Sequence, residues 1–457
     1  MGLEENIEVF AATDVGRVRD HNEDNFLVDK KLALFVVADG MGGHAAGEVA
    51  SALAVRTVHK KVEDDWQLVD DYQKGVSGAG RVTAREVLNL LEFAVQQACI
   101  QIHEQAQGDT AKRGMGTTFT ALLISGTKGF IAHVGDSRIY MMRGGKVQQI
   151  TEDHTVFNEL IKRGKLTKDQ IDRVVNKNAI TRAVGVYERV DVDTLLIDLL
   201  PGDQFLLASD GLHGYVDSPD VLAPYLAELD GNAAVGGLIG FANEAGGKDN
   251  ITTVVVRLGE GTKEDTERAK KLALKREVLH RMPLFARLSE RELLRVMQVA
   301  EVRAYQGGAL VINEGDKGDE LFIVLSGSVQ ISRGEAILTK LGPGEHFGEM
   351  ALIRSVPRSA TVHAEGDCEL IVIRRADFFE ILRKEHELAV KLLWQFLGVL
   401  AERLDQTSKD LKVAKAELIA EDMTDEIFPI GPEDDEDDVD RKTDPRGYPT
   451  AGGRSPQ

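Results

Sequence analysis

The sequence predicts an α+β protein with two β-rich domains. Across residues 7–258, short apolar runs of strand length come in groups and are accompanied by two long amphipathic segments. Single strands and helices do not alternate, which argues against a doubly wound sheet. From Leu284 onward, short β runs are separated by glycines, a rhythm typical of a small barrel or jelly roll. The length of 457 residues agrees with two or three domains.

The first domain opens with a strand candidate at Ile7–Ala11 and a second, more apolar one from Leu32 to Ala38. Apolar residues at helical spacing then predict helices at about 45–62 and 83–107, whereas the polar stretch 64–80 between them predicts a loop. The remaining elements expected in this domain are strands at 119–124, on both sides of Asp136, at 205–208 and at 251–258, and helices near 156–174 and 219–245.

Changes in composition divide the chain. We expect a first domain at 7–258, a linker helix at 259–283, a second domain at 284–416 whose last part is helical, and an acidic, disordered tail at 417–457. Thr262 or Asp265 is the predicted N-cap of the linker helix. No internal repeat is present.

Composition restricts the functional classes. The net charge of −20 argues against nucleic acid or an anionic membrane as a partner. The two cysteines, Cys99 and Cys368, are too far apart in sequence to suggest a Cys-ligated zinc site, and we expect no disulfide. The first residues lack the basic and apolar regions of a signal peptide, and no apolar run reaches membrane length. These features predict a soluble, cytoplasmic protein.

Acidic residues recur at predicted strand ends. Asp39 closes the run that begins at Leu32, Asp210 follows the run 205–208, and Asp249 precedes the run 251–258. Asp136 is a fourth acid of this kind. Each one alone would be a turn or cap residue, but the ordered set predicts a metal cluster. Oxygen ligands favour Mg²⁺ or Mn²⁺ over zinc.

Such a cluster suits the hydrolysis of phosphate esters. Two ions bridged by one carboxylate can activate a hydroxide and polarise a phosphoryl oxygen, and an arginine such as Arg19 can clamp the remaining oxygens. The polar cluster Arg19–Asn25 could also be a solvated turn, although a strand hairpin would place it beside Asp39. Nearby histidines are expected to pack or to form hydrogen bonds rather than to bind metal; they are His21, His44, His133, His154 and His213.

Residues 7–258 resemble the metal-dependent Ser/Thr protein phosphatases of type 2C, the PPM family, in its bacterial form. The segments that carry the resemblance are Arg19 with Asn22-Glu23-Asp24, Ala38-Asp39-Gly40-Met41-Gly42-Gly43, Gly116-Thr117-Thr118, Val134-Gly135-Asp136-Ser137-Arg138, Thr151-Glu152-Asp153-His154, Ser209-Asp210-Gly211-Leu212 and Asp249-Asn250-Ile251-Thr252. The resemblance implies a central β-sandwich with helices outside it. It also implies that the irregular region 155–185 is the variable flap that influences substrate choice.

The same resemblance implies a role for each acid. Asp39 would bridge two Mn²⁺ or Mg²⁺ ions, with the Gly40 carbonyl on one ion and Asp210 and Asp249 on the other. The remaining implied roles are metal-bound waters for Glu23 and Asp24, the substrate phosphate for Arg19, and a third, weaker ion for Asp136 with Asp210. Met41 departs from the animal members, which carry a histidine proposed as general acid there, so water would protonate the leaving group.

Residues 284–400 contain a second informative pattern, Gly348-Glu349-Met350-Ala351 followed by Arg358-Ser359. A short helix with free N–H groups can face an anion, and an arginine nine residues after the glutamate can contact a phosphate. By spacing alone, a hairpin with a surface arginine is an equal alternative. The surrounding residues, Asn313-Glu314-Gly315-Asp316 and Asp319 to Gly327, resemble the cyclic nucleotide-binding domain.

That second resemblance implies a regulatory nucleotide. Glu349 would bind the ribose 2′-OH, Arg358 the cyclic phosphate, and the backbone of Gly348 and Ala351 the same oxyanion. Met350 lies within this cassette, and Ser359 after the arginine favours cAMP over cGMP. The C-terminal helix, with Trp394, Phe396 and Leu400, would form a lid or the seam of a homodimer.

Together these features predict a phosphoserine/phosphothreonine protein phosphatase regulated by a cyclic nucleotide, with phosphoproteins, including a partner kinase, as substrates. The alternative is a cyclic-nucleotide sensor or scaffold with an inactive phosphatase fold. A milder alternative keeps the enzyme active and makes the second domain a docking module.

Overall fold

A computed structural model describes residues 6–42, 46–75, 82–162, 179–259, 261–354 and 356–425. The chain forms two compact units, Met1–Phe396 and Leu397–Gln457. All the sheets described below belong to the first unit. The described part of the second unit is helical.

Two antiparallel sheets form the N-terminal half of the first unit. The five-stranded sheet has the order β1-β11-β10-β7-β8, formed by β1 (Ile7–Asp14), β11 (Ile251–Leu258), β10 (Gln204–Ala208), β7 (Arg138–Arg143) and β8 (Lys146–Gln149). The six-stranded sheet has the order β2-β3-β5-β6-β9, with β4 paired to β3; its strands are β2 (Asp24–Asp29), β3 (Leu34–Met41), β4 (Gly116–Thr117), β5 (Phe119–Ser125), β6 (Lys128–Val134) and β9 (Asp193–Asp198). Apolar side chains from both sheets, among them Phe35, Leu122 and Val254, share one buried core. The predicted β-sandwich is therefore confirmed.

Helices cover the outer faces of both sheets. The helices α1 (Ala46–Asp64), α2 (Trp66–Gln73) and α3 (Ala84–Gly108) share a core with the six-stranded sheet. On the five-stranded sheet lie α5 (Asp210–His213), α6 (Ala223–Leu226) and α7 (Gly231–Glu244). The remaining helix of this half is α4 (Val156–Lys162). Thr83 and Glu86 form a reciprocal capping box that explains why α3 begins at Ala84.

The predicted loop at 64–80 was wrong, because α2 occupies Trp66–Gln73. The polar stretch shows no helical pattern because few positions of α2 are apolar. Val69 is fully buried, and the Tyr72 ring packs edge-on against the Phe130 ring, with 5.4 Å between the ring centroids. The first part of the helix predicted near 156–174 is present as α4, and the rest of the predicted range lies outside the described residues. The region 219–245 is divided into a 3₁₀ turn, α6 and α7, with Asp230 as N-cap of α7.

A linker helix, α8 (Lys263–Arg281), follows the sandwich, and α9 (Glu290–Val299) comes after it. Thr262 is the N-cap of α8, and Asp265 completes its capping box, so both residues named from the sequence take part. The buried ammonium group of Lys275 donates to the carbonyl of Met297 at 2.9 Å and also to that of Ala300. The linker helix therefore caps the C-terminus of α9.

The C-terminal β structure consists of two four-stranded antiparallel sheets. One has the order β12-β19-β14-β17, from β12 (Ala300–Tyr305), β19 (Cys368–Arg374), β14 (Glu320–Ser326) and β17 (His346–Phe347). The other has the order β13-β18-β15-β16, from β13 (Leu310–Ile312), β18 (Thr361–Ala364), β15 (Val329–Arg333) and β16 (Ala336–Leu341). Residues of both sheets share a core, in agreement with the predicted jelly roll.

Helices complete this half: α10 (Met350–Ile353), α11 (Arg375–Lys384) and α12 (His386–Asp425). Phe396 packs into a buried core with Phe378, so it does not belong to an exposed dimer seam. Trp394, by contrast, is 70% exposed. Within the described ranges, we find no helix that is both long and apolar enough to cross a membrane. The predicted domain boundaries and the acidic tail remain predictions.

Candidate functional site

The β2–β3 hairpin brings the first acids together. Asp24 lies opposite Asp39 in the antiparallel register, so the polar cluster at 19–25 lies beside Asp39 rather than in a remote turn. The Thr118 hydroxyl accepts a hydrogen bond from the Asp39 N–H at 2.9 Å. The Thr118 N–H donates to the Asp39 carbonyl at 2.8 Å. These bonds hold the backbone at Asp39 in place.

Gly40 lies where two backbone segments approach closely. A Cβ atom there would lie 2.2 Å from the Gly47 carbonyl oxygen and 2.5 Å from that of Glu23. The Gly40 N–H donates to this Glu23 carbonyl at 3.2 Å. Only glycine allows α1 and the Glu23 turn to pack against the end of β3.

The other two acids come from the five-stranded sheet. Asp210 follows β10 and begins α5, and Asp249 immediately precedes Asn250 and β11. Arg19 donates to Asp249 Oδ2 at 2.7 Å, and its side chain is 51% exposed. The guanidinium therefore lies at the solvent-facing rim of the carboxylate cluster. The structure places all four predicted catalytic residues in one region where the two sheets meet.

Two residues that the sequence analysis did not select as site residues connect the two halves of the site. Ser209 donates through its hydroxyl to Asp24 Oδ2 at 2.8 Å. Asn250 accepts from the Glu23 N–H at 2.9 Å and donates to the His21 carbonyl at 2.8 Å. Their sequence signal is that each directly neighbours a selected aspartate within a motif segment quoted for the family resemblance.

The carboxyl groups of the cluster are buried close to one another, so cations would stabilise their ionised forms. Burial, followed by the charges of Asp24 and Asp210, raises the pKa of Asp39 well above its usual value. Asp39 keeps some accessible surface, but protein atoms surround its carboxylate closely enough for desolvation to be the main cause. Burial also raises the pKa of Asp24 and of Asp136 to about 7 and raises that of Asp210. Burial and like charge both oppose ionisation of these carboxyl groups.

Unpartnered oxygen atoms test whether this donor set suits a hard cation. In the described part of the chain, one carboxylate oxygen each of Asp24, Asp136 and Asp210 is buried without a hydrogen-bond partner. A buried oxygen of this kind costs free energy unless a cation or proton satisfies it. Among the same described residues, no three acidic, histidine or cysteine side chains are arranged to hold an ion as they stand. The donors therefore fit Mg²⁺ or Mn²⁺ chemically, and their side chains would turn to a common point on binding.

The histidines near the site have structural environments. His133 lies between the Thr120 hydroxyl at 2.9 Å and the Glu152 carbonyl at 3.0 Å. The His154 Nδ1 atom accepts from the Gly135 N–H at 3.1 Å. Burial lowers the pKa of His213 to about 3, and neither of its ring nitrogens has a partner among the described residues. His21 is exposed, and His44 lies outside the described residues.

We expect the carboxyl groups of the cluster to stabilise the metal-free protein less as the pH rises. Asp24 and Asp136 have folded-state pKa values of about 7, above the value of about 4 in an unfolded chain. Their contribution to the free energy of unfolding should therefore fall by at least about 1 kcal/mol between pH 4 and 7, whereas the buried His133 and His213, whose pKa values are lowered to about 3, contribute in the opposite direction. Urea unfolding of the wild type and of Asp136→Asn in EDTA at several pH values isolates the carboxyl contribution, because both proteins contain the two histidines. A stability difference between wild type and variant that does not fall over this range would contradict the prediction, and added Mn²⁺ should remove the fall.

The predicted nucleotide cassette is compact. Gly348 has φ of +78°, and a Cβ atom there would lie 2.9 Å from the Glu320 carbonyl oxygen. Arg358 is buried and donates through both Nη atoms to that oxygen at 3.1 Å. Its guanidinium lies 5.7 Å from the ring centroid of Phe322, which stacks on Phe347. Burial lowers the pKa of Arg358, with an opposing contribution from Glu320.

The other cassette residues vary in exposure. Glu349 is 8% exposed, Met350 is 41% exposed, and Ser359 lies at the surface. The Ala351 N–H donates to the Gly348 carbonyl at 3.0 Å, so in this structure it closes the turn of the cassette. The predicted contacts of these residues with a nucleotide remain predictions.

Comparisons with known proteins find matches to both the N-terminal sandwich and the C-terminal β structure. Residues 17–235 match the protein phosphatase 2C family, and residues 302–385 match the cyclic nucleotide-binding domain family. The chain is 36% identical over 247 residues to the serine/threonine phosphatase stp of Listeria innocua, covering 53% of this chain and 93% of that protein.

Two solved structures are also similar. The Mycobacterium tuberculosis serine/threonine phosphatase PstP/Ppp is 33% identical, covers 56% of this chain and 100% of its own, and has a TM-score of 0.48. The catalytic domain of PstP in complex with two manganese ions is 32% identical, covers 56% of this chain and 99% of its own, and has a TM-score of 0.46.

The fold and site thus define a metal-dependent protein serine/threonine phosphatase. The chain belongs to the protein phosphatase 2C family. It differs from the Listeria relative in carrying further sequence beyond the aligned half, and that sequence includes a cyclic nucleotide-binding domain.

Proposed function

We propose that the chain hydrolyses phosphoserine and phosphothreonine in proteins at the Asp39–Asp210–Asp249 cluster, and that a cyclic nucleotide bound at Glu349 and Arg358 regulates the rate. The observation that carries the catalytic part is the raised pKa of Asp39 and Asp210, together with the unpartnered buried carboxylate oxygen of Asp210. A buried set of this kind is stable when cations neutralise it.

The residues that would hold the ions are those selected from the sequence. Asp39, Asp210, Asp249 and the Gly40 carbonyl would bind two Mn²⁺ or Mg²⁺ ions, and Asp136 with Asp210 would bind a third. Glu23 and Asp24 would accept hydrogen bonds around the ions. Bound ions of this class supply Lewis acidity at a phosphoryl oxygen and lower the pKa of water.

The chain itself supplies orientation. Arg19 is exposed at the rim and already donates one hydrogen bond to Asp249, so it can bind a substrate phosphate beside the carboxylates. Ser209 and Thr118 hold Asp24 and the backbone of Asp39 in place. A protein phosphothreonine substrate, including one on a partner kinase, presents its phosphate from solvent at this rim.

The nucleotide proposal depends on two buried charged residues. Arg358 and Glu349 lie in one cassette and are both less than 10% exposed. A guanidinium can bind a phosphate through two parallel hydrogen bonds, and a carboxylate can accept from a sugar hydroxyl, so this pair of residues supports a ligand that carries both groups. We favour cAMP over cGMP because a serine, Ser359, follows the cassette arginine, as in the bacterial cAMP-binding regulators that this domain resembles.

A homodimer through α12 is a further part of the proposal. Apolar side chains exposed on this helix recur at heptad spacing: Val390, Leu397, Leu404 and Leu411. Leu393, also exposed, lies at the intermediate position after Val390. Heptad spacing is typical of a two-stranded coiled coil, so a second copy of the chain fits this face.

The phosphatase rate on a phosphothreonine peptide tests the proposal, with a phosphotyrosine peptide as control. The full chain is assayed with Mn²⁺, with EDTA, and with Mn²⁺ plus cAMP or cGMP. A Mn²⁺-dependent rate that one nucleotide changes supports both parts. A rate insensitive to both nucleotides would reduce the second domain to a docking module, and no rate with nucleotide still bound would favour the sensor alternative.

A further inference from the structure

Helix α9 contacts the exposed edge of the phosphatase sandwich. Strand β9 is the last strand of the six-stranded sheet, and among the described strands it pairs with β6 alone. Gln298 donates to the Leu196 carbonyl at 2.7 Å, and Arg295 donates to the Thr194 carbonyl. These carbonyls belong to alternate residues, which is the pattern of a strand edge without a neighbouring strand. Side chains of α9 therefore replace the missing strand partner.

Arg291 lies one helical turn before Arg295 on the same helix. Its guanidinium forms an ion pair with Glu152 and lies 3.6 Å from Asp193 Oδ2. Its side chain is 21% exposed. Burial lowers the pKa of Arg291 to about 10, so the group remains charged near neutral pH. Arg291 thus places a positive charge from α9 beside two acids of the phosphatase domain, Glu152 and Asp193.

Asp193, one of the two acids beside Arg291, contacts residues nearer the predicted active site. Asp193 lies 3.4 Å from His154 Nε2 and accepts from Arg182 at 2.9 Å. His154 is bonded twice to Gly135: its Nδ1 accepts from the Gly135 N–H at 3.1 Å, and its backbone N–H donates to the Gly135 carbonyl at 2.7 Å. Gly135 directly precedes Asp136, one of the predicted metal ligands.

His154 also holds the described end of the predicted flap. The Thr181 N–H donates to the His154 carbonyl at 2.7 Å, and Val184 forms an isolated bridge with Thr117. The ion pair at Arg291 is therefore two contacts away from both the Asp136 turn and the segment that would meet a protein substrate. Arg182 also contacts both members of this series, Asp193 at 2.9 Å and His154 Nε2 at 3.2 Å, so Arg291 is the second cation at Asp193.

Helix α9 also contacts the C-terminal half. Arg295, which donates to the Thr194 carbonyl of β9, also forms an ion pair with Glu385 at 3.1 Å, without the alignment of a hydrogen bond, at the junction of α11 and α12. Leu293 and Val296 of α9 share a buried core with Leu352, which lies in the cassette helix α10. A close-packed core transmits displacement between its members. Movement at the cassette therefore reaches α9.

We propose that Arg291 is a positioning residue that couples the two halves of the chain, because it holds the Asp193–His154 pair and, through it, the Asp136 turn and the base of the flap. This inference depends on the proposed function and names the contact through which the nucleotide would act. Its ion-pair partners among the described residues, Glu152 and Asp193, are not predicted metal ligands. Its effect should appear in substrate binding and in the nucleotide response.

The test compares Arg291→Ala with Arg291→Lys and with Gln298→Ala in the full chain. Gln298 is the matched control because it lies on the same helix and contacts the same strand, but has no contact with Asp193 or His154 among the described residues. The measurements are kcat and KM for a phosphothreonine peptide and for p-nitrophenyl phosphate, with Mn²⁺, in the absence and presence of cAMP and cGMP. Nucleotide affinity is measured separately.

For Arg291→Ala we expect KM for the peptide to rise about tenfold, equivalent to about 1.4 kcal/mol. KM for p-nitrophenyl phosphate should change less than about twofold, because a small substrate does not reach the flap. The nucleotide response should be lost although the nucleotide still binds. Arg291→Lys should restore most of the response, and Gln298→Ala should retain it. Glu152→Gln removes the charge that pairs with Arg291 and leaves the Arg182–Asp193 hydrogen bond in place, so it should reproduce Arg291→Ala and decides the matter if Arg291→Ala does not fold.

The outcomes separate this inference from the proposed function. An Arg291→Ala enzyme with wild-type peptide KM and an intact nucleotide response overturns the inference alone. Equal losses in Arg291→Ala and Gln298→Ala overturn it as well, since general docking of α9 would then be responsible. A wild-type rate that neither nucleotide changes overturns the regulatory part of the proposed function and this coupling role with it.

Discussion

Replacing Asp39 by Asn should reduce Mn²⁺-dependent hydrolysis of a phosphothreonine peptide about 1,000-fold, equivalent to about 4 kcal/mol of transition-state stabilisation. The reason is that Asp39 interacts electrostatically with all the other acids of the cluster, namely Asp24, Asp136, Asp210 and Asp249. The amide carries no negative charge and binds a hard cation weakly. Initial rates at several Mn²⁺ concentrations measure the effect.

A loss of folding cannot explain the expected result, because Asp39→Asn should stabilise the metal-free protein. The substitution removes a carboxyl group whose ionisation is opposed by burial and by neighbouring charges, and replaces it with a neutral group of similar size. The matched control is Asp29→Asn at the far end of β2, where the carboxylate accepts from the N–H groups of Lys31 and Leu32. Retention of more than a tenth of the rate in Asp39→Asn would contradict the assignment of this cluster.

Replacing Arg358 by Ala should weaken cyclic nucleotide binding by about 100-fold, which corresponds to roughly 2.7 kcal/mol. A buried guanidinium can form two parallel charged hydrogen bonds with a phosphate, and each such bond contributes about 1.5–3 kcal/mol. In this structure both Nη atoms donate to the Glu320 carbonyl, which holds the group in the cassette. Calorimetric titration of the full chain with cAMP and with cGMP measures the loss.

Arg354→Ala is the control for this substitution. Arg354 lies at the C-cap of the cassette helix and is exposed, so its removal takes away the same charge from the same region without touching the buried pocket. Arg358→Lys should bind nucleotide nearly as weakly as Arg358→Ala, because lysine cannot form the bidentate contact. Affinity within about threefold of wild type in Arg358→Ala would show that the cassette is not the nucleotide site.

Much of the fold could be predicted from local sequence patterns. Apolar residues at helical spacing define α3 to within one residue at each end, and the Thr83–Glu86 capping box fixes its start. The run at 251–258 is the strand β11. Three aspartates at predicted strand ends indicate the carboxylate cluster by their positions in the sequence. These patterns arise because one face of a strand or helix is buried, so apolar residues recur in the sequence at the period of that element.

Other features depended on contacts between residues distant in the chain. Helix α2 lies in a polar stretch and is stabilised by packing of Tyr72 on Phe130. Ser209 and Asn250 reach across more than 180 residues to Asp24 and Glu23, which no local pattern records. Their importance arises only once the two sheets have packed together.

The sequence by itself determined the two folds and indicated the carboxylate cluster, Arg19 and the cassette. Each of these corresponds to particular residue types at short spacings in the sequence. The tertiary structure decided how these parts are held: the pairing of Arg19 with Asp249, the unpartnered carboxylate oxygens, and the docking of α9 on β9. Desolvation, charge repulsion and edge-strand pairing all depend on distances between segments far apart in the chain. Those distances exist only in the folded protein.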